Sequence, residues 1–203
     1  MAEWFDEWFG EEYLALYPHR DHADAEHLIT LLQRILPWSP GWRVLEAGCG
    51  PGRHARELEA LAAAPIGVDL SMALLRRARH VTAAPLVRAD MRDLPVRTGS
   101  MDCVVNLFTS FGYFGSEEEH AEALAEMLRT VRPGGWFVLD FLNAAQVRSA
   151  IVPEETVTLD GRPVLIAREV SPDGATVRKT ITMADGREYL ERVRLFEPDE
   201  LVR

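Results

Sequence analysis

The spacing of apolar positions changes character partway along the chain. From Asp21 to Leu36, the residues Leu28, Ile29, Leu31, Leu32, Ile35 and Leu36 recur at helical spacing until Pro37 closes the run, which predicts an amphipathic helix. A short apolar strand follows over Arg43 to Ala47. The alternation then continues with a helix over 52–63, a strand over 65–69, a helix over 71–80, and strands over 86–89 and 101–107. Ser116 followed by Glu119 has the spacing of a capping box, opening a helix whose apolar face is Ala121, Leu124, Ala125 and Leu128. Pro133-Gly134-Gly135 reads as the end of that helix and the turn into a strand from Trp136 to Asp140. Near-continuous apolar strands alternating with helices predict an α/β fold, a parallel sheet covered on both faces.

Beyond Asp140 the pattern becomes that of antiparallel strands, expected over 155–159, 164–170, 175–183 and 188–196. Turns at Asp160-Gly161, Pro172-Asp173-Gly174 and Ala184-Asp185-Gly186 join them into a β meander. Glu197 to Arg203 reads as the first turn of a helix with proline near its start. At 203 residues there is room for one well-buried domain. Within it we expect a helical cap over 1–40, a core over 41–141 and an antiparallel insertion over 154–196.

Charge and composition narrow the partners. Thirty-two acidic residues against 22 basic ones give a net charge of −10, a field that repels polyphosphates and disfavours nucleic acid. The best basic cluster, Arg76, Arg77, Arg79 and His80, lies on a predicted helix and reads as a solvated face. No apolar run approaches the roughly 18 residues of a membrane span, and Met1 to Gly10 is acidic and aromatic rather than a signal peptide, so the expected place is the cytoplasm. Cys49 and Cys103 form no C-x-x-C pair, and His19, His22 and His27 with Asp21 match no standard ligand spacing; no metal is expected.

Candidate chemistry sits where the predicted strands end. Gly48, Gly50 and Gly52 fall in the turn after the first strand, where missing side chains permit positive φ and close approach of a ligand, and where loop amides and the helix start could receive an anionic group. Arg53 occupies the place of the third glycine of a dinucleotide loop, and the G-K-[ST] of a phosphate loop is absent. Glu46, two residues before the first glycine, suits an ammonium better than a pyrophosphate. Asp69 ends the second strand, placed to accept from a ribose diol, and Asp90 follows the third, placed to accept from an adenine amine.

The runs V-L-E-A-G-C-G-P-G at 44–52, G-V-D-L-S at 67–71, A-D-M-R-D-L-P at 89–95, M-D-C-V-V-N-L-F at 101–108 and L-R-T-V-R-P-G-G at 128–135 resemble, in order, the motifs of the class I S-adenosylmethionine (SAM) dependent methyltransferases. The resemblance implies a Rossmann-like sheet with SAM as cofactor. It also implies SAM contact by Glu46, Ala47, Gly48, Cys49, Gly50 and Gly52, ribose contact by Asp69 beside Leu70, adenine contact by Asp90 and Met91, and a wall at Asn106 and Leu107. The segments at 13–21 and 106–114 further resemble bacterial methyltransferases of small molecules. Leu107-Phe108-Thr109 replaces the P-P-[YFW] that follows the asparagine in methyltransferases of nucleic-acid and glutamine amino groups.

For the acceptor we single out Tyr17, Phe111 and Tyr113, with Phe114 beside them, as aromatic walls whose other reading is core packing. Trp4, Phe5, Trp8, Phe9, Tyr13 and Tyr17 read either as a lid or as a helix packed on the core, and His54 reads as structural rather than as a base. Class I enzymes usually add a helix and two strands after the fifth strand. Their apparent lack here predicts a shortened chain, or a sheet edge covered by the meander or by a second copy in a homodimer. Two alternatives stand beside methyl transfer: an aminopropyltransferase acting on decarboxylated SAM, and a non-catalytic SAM-binding protein.

Overall fold

The structure, a computed structural model, describes residues 3–17 and 22–201. His19 and Asp21 of the weighed histidine cluster, and Val202 and Arg203, lie outside them. In chain order the first elements are α1 (Trp4–Trp8), α2 (Glu11–Leu16), α3 (His22–Ile35), β1 (Arg43–Ala47), α4 (Arg53–Ala60), β2 (Ala64–Asp69), α5 (Met72–Ala78), β3 (Leu86–Arg88) and β4 (Met101–Asn106). Then come α6 (Glu117–Thr130), β5 (Val131–Leu139), α7 (Ala144–Ala150), β6 (Glu154–Leu159), β7 (Arg162–Val170), β8 (Thr176–Thr182), β9 (Glu188–Arg194) and a 3-10 turn, Pro198–Glu200. No described helix is long and apolar enough to cross a membrane.

The residues group into two compact units. One comprises Tyr17–Ser110 and Ala121–Asp140 and holds a five-stranded parallel sheet in the order β3-β2-β1-β4-β5. The chain moves outward from β1 to β3, then returns to lay β4 on the other side of β1, which puts the topological switch point at the ends of β1 and β4. Ile29 and Leu32 of α3 and Leu58 of α4 close over Val44, Cys103, Val105 and Leu107 as a buried core. Ser71 caps α5 by accepting from the Leu74 amide at 3.2 Å, which fixes where the chain turns after Asp69.

The fifth strand differs from expectation. Pro133-Gly134-Gly135 does not end the helix: α6 stops at Thr130, and β5 runs from Val131 through the Pro-Gly-Gly step to Leu139, with a register shift opposite Met101 and Cys103. Its place at the sheet edge explains this, since an edge strand tolerates a proline and an irregularity that a central strand would not.

The other unit, Met1–Leu16, Phe111–His120 and Phe141–Arg203, holds the antiparallel sheet β6-β7-β8-β9. Here α1 lies against β9: Trp8 is 1% exposed, its indole N–H donates to Glu191 at 2.6 Å, and its ring packs on Tyr189. The aromatic amino-terminal stretch is thus packed rather than loose. The capping box holds, the Glu119 amide donating to Ser116 Oγ and the Ser116 amide to the Glu119 carboxylate. Helix α7, capped by Asn143, is an addition to the expected elements. The expected terminal helix is a 3-10 turn, closed by a reciprocal bond pattern between Glu197 and Glu200.

Candidate functional site

The glycine loop follows β1 at the switch point, and its backbone takes a left-handed turn at every second residue: φ is +76° at Gly48, +52° at Gly50 and +80° at Gly52. The three glycines serve different ends. A Cβ on Gly48 would lie 2.6 Å from Ser110 Cβ, and one on Gly52 would lie 3.0 Å from both Ala78 and Thr82, so these two make room for the protein itself. A Cβ on Gly50 would meet nothing within 4 Å, which leaves the middle of the loop open to a ligand.

The loop amides are already engaged. Gly48 and Cys49 both donate to the Val68 carbonyl at 2.8 and 2.9 Å, Gly50 to Asp69 Oδ2 at 2.7 Å and Gly52 to the Cys49 carbonyl at 3.0 Å; residue 51 is proline and has no N–H. The expectation that these amides receive an anion is therefore corrected. A nest for pyrophosphate needs converging free N–H groups, and this loop directs them into its own fold.

Beneath the loop the charge is negative. Glu46 is 1% exposed; its Oε1 accepts from His54 Nδ1 at 2.9 Å, while Oε2 is buried with no hydrogen-bond partner among the described residues. His54 is itself 5% exposed, so it belongs to the packing under the loop. Asp69 holds the loop and the next turn together, Oδ2 accepting from Gly50 and Oδ1 from Ser71 at 2.8 Å. Each carboxylate oxygen can accept more than one bond, which leaves Asp69 capacity for a diol. Burial raises the Asp69 carboxyl to about 6, the amides of Ser71 and Gly50 pulling against it and the charge of Glu46 adding to it. Burial likewise pushes the Cys49 thiol well above its usual range, with Glu46 and Asp69 contributing, so Cys49 packs as a small inert side chain.

The remaining expected positions lie along the same strand ends. Ala47 offers its carbonyl to Asn106 Nδ2 at 2.9 Å, while Asn106 Oδ1 is buried and unpartnered among the described residues. The Leu70 carbonyl accepts from Arg88 at 2.9 Å. Met91 is half-buried and Leu107 is buried in the core. Asp90 is gripped by its neighbour: Arg92 donates to both oxygens, Nη2 to Oδ2 at 2.7 Å. Burial would lift the Asp90 carboxyl, but the Arg92 hydrogen bonds outweigh it and hold it below the usual carboxylate range.

A family model described as a methyltransferase domain matches residues 44–135, the stretch that carries β1 through the Pro-Gly-Gly step. That stretch of the chain is similar to the methyltransferase domain of the class I SAM-dependent enzymes. The chain is 29% identical over 163 residues to phthiotriol/phenolphthiotriol dimycocerosates methyltransferase 1 of Mycobacterium ulcerans, which matches 77% of the chain and 56% of that protein. It is also 29% identical over 174 residues to the dTDP-3-amino-3,4,6-trideoxy-alpha-D-glucopyranose N,N-dimethyltransferase of Streptomyces venezuelae, with coverage of 80% and 69%. The chain thus spans little more than half to about two thirds of the length of these relatives. A SAM-bound amino pentose methyltransferase from Micromonospora echinaspora superposes with a TM-score of 0.66 at 27% identity, covering 94% of this chain and 84% of that one.

The residues present fit SAM on the structure's own terms. A buried acid beneath the loop suits a cationic ligand end, Asp69 has acceptor capacity, and the loop is open at Gly50. Sequence reading missed Asp140. At the end of β5 its carboxylate accepts from the Phe108 amide at 2.9 Å and its carbonyl from Thr109 at 3.1 Å. Those bonds hold Phe108 and Thr109 at φ +60° and +56°, two consecutive non-glycine residues in the left-handed region, and such strain clusters at functional sites. An acid closing the last parallel strand was the available signal. Of the expected acceptor residues, Tyr17 follows α2 and is half-buried. Phe111 is 1% exposed among Phe141, Phe196 and His120. Tyr113 stacks on Phe9 and meets the edge of Trp4.

Proposed function

We propose that the chain transfers a methyl group from SAM to a small-molecule acceptor. The observation that carries this reading is the pairing of a glycine loop whose amides are closed internally with a buried acid, Glu46, beneath it. That combination repels phosphate and attracts the amino-acid end of SAM. Bound SAM would supply an already activated methyl carbon, which leaves to an in-line nucleophile as the sulfur keeps the bonding electron pair.

The protein's part is then positioning. Asp69 would accept from the ribose hydroxyls, its orientation set by Gly50 and Ser71. Glu46 would act on the ammonium through its charge, and the strained Phe108-Thr109 turn, clamped by Asp140, would shape the wall at the end of β4. Holding reactants in line in a site that excludes water supplies much of the acceleration for such a step, and no base among these residues is required. A net charge of −10 favours a cationic or amine acceptor. Two of the relatives are named for amino sugars, so amino sugars are the first class to test. β5, at the sheet edge with Trp136 exposed, is the strand through which a second copy would pair, and light scattering of the purified protein measures that.

Calorimetric titration with SAM, S-adenosylhomocysteine and NAD tests the cofactor, and transfer of labelled methyl into an amino-sugar panel tests the acceptor. Binding of S-adenosylhomocysteine without NAD is expected. Tight NAD binding with no response to S-adenosylhomocysteine would end the methyltransferase reading.

A further inference from the structure

His54 and Glu46 form an unusual pair for the underside of a cofactor loop. Both are buried, at 5% and 1% exposure, and a single hydrogen bond of 2.9 Å joins them. The second carboxylate oxygen, Oε2, has no partner among the described residues, so the acid is held in place without being neutralised by an arginine or lysine. Its charge reaches across the loop: it raises both the Cys49 thiol and the Asp69 carboxyl. A buried carboxylate with one bond is expensive to keep, and removing that bond leaves it with none.

We infer that His54 is a positioning residue which, donating from Nδ1, orients the Glu46 carboxylate so that the site selects ligands bearing an ammonium on the amino-acid end. The inference rests on the SAM reading above. An imidazole suits the task because its neutral tautomer supplies a donor without a compensating positive charge, which leaves the field of Glu46 available to the ligand. His54 touches no reacting atom in this scheme; it acts through Glu46.

The test compares S-adenosylhomocysteine with 5′-deoxy-5′-methylthioadenosine, which keeps the adenosine but lacks the amino-acid end. The quantity read is the ratio of their dissociation constants, measured by calorimetry at pH 8. His54→Leu, which fills the space without a donor, should cut the preference for S-adenosylhomocysteine about tenfold while methylthioadenosine binding stays within about twofold. His54→Asn, which returns an N–H donor near the Nδ1 place, should hold the ratio within about threefold of the parent. Glu46→Gln should lose as much as His54→Leu, and the double variant should lose no more than either, because the two act as one unit.

Equal weakening of both ligands in His54→Leu, or losses that multiply in the double variant, would overturn the inference in favour of a purely structural histidine. Should His54→Leu fail to fold, His54→Asn decides: a retained ratio supports the inference and a lost one overturns it. A parent protein that binds neither ligand overturns the SAM reading itself. One that binds both without preferring S-adenosylhomocysteine overturns only the inference.

Discussion

The two sheets handle charge in opposite ways. In the antiparallel sheet acids and bases find each other across strands: Glu169 stands opposite Arg178 and pairs with it at 3.1 Å, Lys179 stands opposite Glu191 and bridges to it, and Arg168, which stands opposite Lys179, reaches Glu155. Such cross-strand pairs explain themselves as parts of a sheet. At the ends of β1 and β2 the charges share one sign. Glu46 and Asp69 press on each other, Asp69 held by the amides of Gly50 and Ser71 and Glu46 by His54, whereas Asp90 beyond β3 is paired with Arg92. Folding gains nothing from grouping like charges in a buried place. Acids kept there without counterions mark the part of the molecule shaped for a cationic ligand.

If that contrast is right, removing an acid from the parallel edge should cost binding far more than removing a charge from the meander. Asp69→Ala is the largest case. It deletes the acceptor expected for the ribose diol and leaves the Gly50 and Ser71 amides without their partner. Affinity for S-adenosylhomocysteine and for methylthioadenosine should fall together by about 100-fold, since both carry the ribose. Titration of the two ligands into the variant checks this, and an unchanged affinity would remove Asp69 from the site.

Gly48→Ala comes next. Its Cβ would need φ near +76° and would sit 2.6 Å from Ser110 Cβ, so we expect a loss of about 2 kcal/mol in denaturant unfolding. Pairing it with Ser110→Gly should recover the part due to the clash and leave the part due to φ. Full recovery would mean that the left-handed turn itself costs nothing there.

How far the chain could be read follows the same division. Strands β1, β2 and β4 were legible to within a residue or so because each is a largely buried apolar run, and the carboxylates of Glu46 and Asp69 could be placed at the ends of β1 and β2 from that alone. The Ser116 and Glu119 cap and the Asp-Gly turns of the meander were legible because their chemistry is local. What escaped was tertiary. Nothing near Phe108 and Thr109 in sequence demands positive φ; the cause is Asp140, 32 residues on. The loop amides looked available until Val68 and Asp69 were seen to take them. Pro133 looked like a breaker because the edge position that tolerates it depends on strand order.

The pH dependence of binding sharpens the comparison, because Asp69 is raised to about 6 by burial. A carboxyl raised above its usual value favours the folded protein when protonated; that contribution is complete below about 3.8 and is lost as pH rises through about 6. Ligand binding runs the other way, since ribose hydroxyls donate to the ionised form. Affinity for S-adenosylhomocysteine should therefore rise about tenfold between pH 5 and 7.5. Asp69→Asn cannot titrate and should bind with a flatter profile, so an equally steep profile in that variant would assign the dependence to another group.

The smallest effect is the counterpart on the antiparallel side. Glu169 and Arg178 are both largely exposed, and exposed pairs in water contribute little because solvent and salt screen them. Arg178→Ala should shift unfolding by no more than about 0.5 kcal/mol and leave the binding of S-adenosylhomocysteine unchanged. The informative measurement is the pair of readouts on one variant. If removing this charge altered cofactor affinity as much as the pH change does, the field at the glycine loop would belong to the whole molecule. If only stability moves, and slightly, the meander's charges are bookkeeping for its own sheet, and selectivity for a cation rests on the few acids at the ends of β1 and β2.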